Sequence, residues 1–85
     1  MFMSQETQLT LGRMEAGQTG TVIQILGGRG LTQRLEALGI RPGKKVTKIS
    51  SMLFRGPVTL RVNHTQVALG FGMANKILIE IDKSA

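Results

Sequence analysis

The chain has 85 residues, which is the length of one small domain. It contains no cysteine, and this excludes disulfides, thiolate metal sites and a cysteine nucleophile. Eleven Lys and Arg residues against five Asp and Glu residues give a net charge of +6, which either attracts an anionic partner or serves solubility alone.

The N-terminal part of the chain leads into the first predicted strand. Leu9, Leu11 and Met14 form a small apolar cluster that fits either one helical turn or an extended lead-in. Residues 19–26 are β-branched and apolar, and this predicts a strand. The glycine-rich residues 27–30 match neither the dinucleotide-binding nor the Walker pattern, so we interpret them as a flexible link.

A short helix is predicted after this link, over residues 30–39. Leu31, Leu35 and Leu38 recur at i, i+4 and i+7, so they are expected to lie on one stripe. A helix this short is marginal in water, and the stripe should therefore seal an apolar surface formed by the rest of the chain. Gly39 is predicted to end the helix in the left-handed conformation.

A basic cluster surrounds the next turn. Pro42 and Gly43 predict a type II turn in which Gly43 has a positive φ. The cluster is either a solvated rim or a docking patch for an acidic partner. Its members are Arg41, Lys44, Lys45 and Lys48.

Alternating or β-branched residues predict four further strands. Together with the first strand and the helix, they predict a mainly β fold. The expected architecture is a small five-stranded barrel with the helix inserted between the first two strands, where it plugs one open end. A turn is predicted over residues 70–75. The four strands are predicted at residues 44–51, 58–62, 65–69 and 77–81.

An apolar loop is predicted between the strands at residues 44–51 and 58–62. Met52, Leu53 and Phe54 either fold over the mouth of the barrel or form a contact surface. With Arg55 beside them, they suit a hot spot for protein–protein binding.

The inventory of catalytic and metal-binding residues is small. His64 is the only histidine and lies with Asn63 at a predicted hairpin connection, so a surface role is favoured and a metal site shared between chains stays open. Neither an enzyme nor a cofactor is predicted, because the acidic residues do not pair for acid–base work. They are scattered over different elements, as Glu15, Glu36, Glu80 and Asp82 show.

The order of short motifs between residues 9 and 81 carries a family resemblance. The motifs are a leucine-rich lead-in, a Gly-Gln turn, a strand, a Leu-x-x-Arg-Leu-x-x-Leu-Gly helix, a Pro-Gly turn, a Gly-Pro loop and a closing strand. They stand here at Leu9/Leu11/Met14, Gly17-Gln18, Val22/Ile25, Leu31–Gly39, Pro42-Gly43, Gly56-Pro57 and Ala74–Ile79. In this order they resemble the FeoA family, the small cytoplasmic component of bacterial ferrous iron transport. Ala16 and Phe71-Gly72-Met73 depart from the usual family pattern.

The resemblance implies an SH3-like barrel with a helical insertion. It also implies a non-enzymatic regulatory or accessory role toward the membrane ferrous iron permease, whose cytosolic part is a GTPase. The expected contacts with that part are Arg34, Arg41, Lys44, Lys45 and the apolar loop Met52, Leu53, Phe54 and Arg55.

Three alternatives for the function stay open. One is a nucleic-acid-binding barrel, which predicts strongly salt-dependent binding. A second is a module related to the C-terminal domain of metal-dependent repressors, and a third is a carrier of Fe²⁺. Weak homodimerisation through exposed strand edges and the apolar loop also stays open.

The sequence also predicts domain bounds and location. We expect a flexible N-terminus at residues 1–8, the domain at 9–82 and a tail at 83–85. No apolar run reaches the roughly 20 residues that span a bilayer, and the first residues do not resemble a signal peptide. The expectation is a cytoplasmic protein that reaches the membrane only through its partner.

Overall fold

The computed structural model describes residues 7–50 and 57–82 of the chain. Within these residues the chain forms one antiparallel sheet in the order β1-β6-β2-β3-β4-β5. None of the helices in the described ranges is long and apolar enough to cross a membrane. The elements are β1 (Gln8–Thr10), a 3₁₀ helix (Leu11–Arg13), β2 (Thr19–Ile25), α1 (Arg29–Ala37), β3 (Lys45–Ser50), β4 (Val58–Val62), β5 (Thr65–Leu69), α2 (Phe71–Ala74) and β6 (Ile77–Ile81).

The mainly β prediction is confirmed, and all five predicted strands are present as β2 to β6. The structure adds a sixth strand, β1, so the helix lies between the second and third strands rather than the first two. Both alternatives for the lead-in occur, because β1 is followed at once by the 3₁₀ helix. Gln8, predicted to be flexible, pairs with Glu80 in β6. The predicted turn at residues 70–75 contains the short helix α2.

The core lies on the inward face of the sheet and is closed by residues from the helices. β4 shows the predicted alternation, since Val58, Leu60 and Val62 are buried and Arg61 is exposed. Burial of these apolar side chains is the main favourable contribution to folding. The full buried set is Leu11, Met14, Val22, Leu35, Ile40, Val46, Val58, Leu60, Val62, Leu69, Ala74, Ile77 and Ile79.

The predicted leucine stripe of α1 is wrong at its last member. Leu35 is fully buried and Leu31 packs partly against the core, but Leu38 is 41% exposed. The helix ends at Ala37, and Leu38 is its C-cap with φ −92° and ψ 1°, so the i+7 spacing no longer applies there. Ile40 occupies the core in its place.

The end of α1 is a Schellman motif. The amide of Ile40 donates to the carbonyl of Leu35 and the amide of Gly39 donates to the carbonyl of Glu36, each at 2.9 Å. Gly39 has φ +90°, which confirms the predicted left-handed conformation. The burial of both Leu35 and Ile40 supplies the apolar contact that accompanies this motif.

Gly39→Ala is expected to lower the free energy of unfolding by about 1–2 kcal/mol, because alanine resists a positive φ. Its Cβ would meet Val62 Cγ1 at an ordinary 3.5 Å, so the cost comes from the backbone conformation. Urea denaturation measures the change. Gly30→Ala is the control, because that glycine lies inside α1 with open space around it and should leave stability equal or slightly higher. Equal losses in both variants would contradict the prediction.

Candidate functional site

The Pro-Gly turn is fixed to the sheet by its backbone. The amide of Lys44 donates to the carbonyl of Arg41 at 3.1 Å, and Gly43 has φ +95°, as the predicted type II turn requires. The amide of Gly43 donates to the carbonyl of Val22, and the amide of Val22 donates to the carbonyl of Lys44, both at 2.8 Å. Since the Val22 side chain is buried in the core, the turn has a rigid base.

An exposed apolar residue lies between two exposed arginines in the sequence that leads into this turn. Arg34 is in the last turn of α1, and Leu38 is the C-cap that follows this turn. Arg41 follows the Schellman motif and is exposed. Arginine is enriched in protein-binding hot spots, and the exposed leucine adds apolar surface next to it in sequence. We call Arg34, Leu38, Arg41 and the half-buried Lys44 the rim.

Sequence reasoning assigned Leu38 to the core and therefore missed it as a candidate contact. The signal that could have found it is Gly39, because a residue directly before a left-handed glycine stands at the end of the helix. The structure thus moves one residue from the predicted structural set to the candidate binding surface.

Lys45 lies on the outer face of β3, next to the rim in sequence. Its ammonium forms an ion pair with Asp82 at 2.9 Å, and the two side chains are 66% and 28% exposed. An exposed pair of this kind contributes little stability. Asp82 therefore offsets part of the positive charge that Lys45 carries at the surface.

Lys48 does not belong to the exposed basic cluster in which the sequence placed it. It is 1% exposed, and its Nζ donates to the carbonyl oxygens of Gly12 at 3.2 Å and Met14 at 2.5 Å. Burial lowers the pKa of the Lys48 ammonium below its ordinary value. Strand periodicity explains the placement, because Lys48 is two residues after the buried Val46 and shares its inward face.

The apolar loop and the histidine are the remaining residues that the sequence predicted as partner contacts or metal ligands. Met52, Leu53, Phe54 and Arg55 lie outside the described residues. His64 is exposed at the β4–β5 connection, where Asn63 has φ +58°. Within residues 7–50 and 57–82, no three His, Cys, Asp or Glu side chains lie close enough together to hold a metal ion.

Comparison with known proteins identifies relatives over most of the chain. A family model described as FeoA domain matches residues 9–81. A protein of Methanocaldococcus jannaschii named as an Fe(2+) transport protein A is 36% identical over 64 residues, which are 75% of this chain and 76% of that protein.

Solved structures show the same fold. A crystal structure described as iron uptake regulatory protein FeoA has a TM-score of 0.84 at 29% identity and covers 88% of this chain and 99% of that one. A manganese-dependent transcriptional repressor has a TM-score of 0.81 at 21% identity over 88% of this chain and 42% of its own. The likeness to the repressor concerns the SH3-like fold alone. The match to the family model and the identity to the curated relative show that the chain belongs to the FeoA domain family.

Proposed function

We propose that this protein is a non-enzymatic accessory protein of ferrous iron uptake, and that it binds the cytosolic GTPase part of the membrane ferrous iron permease. The observation that carries the proposal is membership of the FeoA domain family, supported by a curated relative that is named as an Fe(2+) transport protein. The protein acts in the cytoplasm and reaches the membrane through this partner.

The rim is the surface that the proposal assigns to the partner. Arg34 and Arg41 carry charge that no described acidic side chain pairs within ion-pair distance, in contrast to Lys45. Leu38, which lies between them in sequence, adds exposed apolar area. A partner surface with acidic side chains around an apolar pocket fits this arrangement, because charge complementarity sets orientation and the buried leucine supplies affinity.

Rigidity of the rim also favours binding. The Schellman motif fixes the chain between Arg34 and Arg41, and the hydrogen bonds to Val22 fix the turn that follows. A preorganised surface loses little conformational entropy when a partner docks. On binding, the side chains of the rim lose conformational freedom, whereas its backbone is already fixed.

The test is calorimetric titration of the full chain with the purified GTPase domain of the permease, without nucleotide and with GDP or a non-hydrolysable GTP analogue. Arg34→Glu and Arg41→Glu are each expected to weaken binding by about tenfold, which is about 1.4 kcal/mol. Leu38→Ser should also weaken binding, but it should change the salt dependence of the affinity less than the two charge reversals do.

Arg13→Glu is the matched control, because Arg13 is exposed on the 3₁₀ helix and lies outside the rim. It makes the same change in net charge. Equal weakening by the control would show that overall charge, rather than the rim, sets the affinity. Absence of binding in all three nucleotide states would refute the proposed function.

A further inference from the structure

Strand β5 is an edge of the sheet. Within the described residues its only strand neighbour is β4. The β4–β5 register is uninterrupted from Val58 opposite Leu69 to Val62 opposite Thr65. The β2–β6 and β3–β4 ladders, by contrast, each contain a shift in register. β5 is therefore a regular edge of five residues, whereas β1 at the other edge has three.

The hairpin geometry determines which backbone groups of β5 point away from β4. Two residues, Asn63 and His64, connect the strands, so the flanking pair Val62 and Thr65 exchange hydrogen bonds. Pairing then alternates along the ladder. The N–H and C=O groups of Gln66 and Ala68 face outward, and both residues are exposed.

Strand β5 itself lacks three of the devices that protect a sheet edge against strand addition. Its sequence, Thr-Gln-Val-Ala-Leu, contains no charged residue and no proline, and no bulge twists it away from a partner. Proteins that do not use an edge normally block it with one of these devices. An open edge of this length is the feature that β-strand addition requires.

The charged residues of β3, β4 and β5 all have one sign. No Asp or Glu occurs between Glu36 and Glu80, a stretch that contains β3, β4 and β5. Arg61 lies opposite Gln66 on the exposed face. An acidic side chain next to Gln66 on an added strand would stand two strands from Arg61, roughly 10 Å between Cα atoms, which is within reach of two long side chains. A second copy of this chain would instead bring positive charge toward positive charge.

We propose that β5 binds an extended acidic segment of a partner protein, which adds to the sheet as a further strand. The outward backbone groups of Gln66 and Ala68 hold the segment, and Arg61 favours acidic side chains on its exposed face. The inference concerns a surface separate from the rim and does not require that the partner be the permease.

The test is an NMR titration of the isotope-labelled full chain with a short capped peptide of alternating valine and glutamate. Saturable shifts are expected at Gln66 and Ala68, together with slower exchange of their amide hydrogens. Ala68→Pro should abolish both effects, because it removes an outward N–H and proline is tolerated on edge strands. Ala68→Thr keeps the N–H and should bind as the unaltered chain does.

Several outcomes would overturn the proposal. They are binding of the peptide to Ala68→Pro, shifts confined to the rim, and equal binding of a valine–lysine peptide. Shifts that depend on protein concentration without peptide would assign the edge to a second copy, and stronger protection by an RNA oligonucleotide would assign it to nucleic acid. If Ala68→Pro loses its amide protection in β4, Arg61→Glu replaces it and must weaken peptide binding for the proposal to stand.

Discussion

Gly20→Ala is expected to lower the free energy of unfolding by about 2–3 kcal/mol, a loss of roughly 10–20 °C in Tm for a domain of this size. Gly20 is buried in β2 and lies between Val46 of β3 and Ile81 of β6. A Cβ there would overlap the Cγ2 of Ile79 and stand 2.7 Å from the carbonyl oxygen of Glu80.

The size of this effect follows from what surrounds the glycine. Ile79 is fully buried, and the carbonyl of Glu80 belongs to the backbone of the neighbouring strand, so neither can move aside cheaply. Gly30→Ala is the control, because nothing lies within 4 Å of a Cβ at that position. Urea unfolding followed by circular dichroism should show a shift in midpoint for the first variant and almost none for the second. A Gly20→Ala protein as stable as the unaltered chain would contradict the close approach of β2 and β6.

Lys48→Met is expected to lower the free energy of unfolding by about 2–4 kcal/mol. The substitution keeps most of the side-chain volume but removes the donor from the part-buried carbonyl of Gly12 and the buried carbonyl of Met14. An unpaired buried carbonyl costs about 1–3 kcal/mol. Part of the loss is recovered because a buried charge is removed. Lys45→Met on the same strand is the control and should change stability by less than about 1 kcal/mol, since its ion pair is exposed.

The stability of the unaltered chain should also depend on pH through Lys48. Burial lowers the pKa of this ammonium in the folded state, so the folded chain releases its proton at a lower pH than the unfolded chain does. Between these two pKa values the unfolded state binds more protons, and stability therefore rises with pH. The rise should be absent in Lys48→Met and present in Lys45→Met. A flat alkaline profile for the unaltered chain would contradict the buried position of the charge.

The sequence predicted well those features that a single local rule decides. Alternation predicted β4 and β6, because one face of each strand is buried. Gly39 and Gly43 were predicted to have positive φ, since glycine alone adopts it without cost. The errors arose where contacts with residues distant in sequence determine the structure. β1 has three residues, too few to show a period, and it forms because β6 lies beside it.

The candidate site was predicted only in part. Arg34 and Arg41 are exposed as expected. Leu38 was predicted to be buried and is exposed, whereas Lys48 was predicted to be exposed and is buried. Both errors come from grouping residues by nearness in sequence. Leu38 was assigned by helical spacing beyond the end of the helix, and Lys48 was grouped with Lys45 although the two lie on opposite faces of β3.

The position of β6 has a consequence for how the chain folds during synthesis. β6 lies between β1 and β2, so the two earliest strands have no direct contact with each other in the sheet and are joined through a later one. While the ribosome still holds residues 77–81, β1 lacks its only strand partner among the described residues, and the side of β2 that pairs with β6 is open. Native pairing of the N-terminal strands must therefore wait until β6 emerges, and closing so long a loop slows folding. Until then, the emerging chain presents apolar strand edges of the kind that chaperones bind.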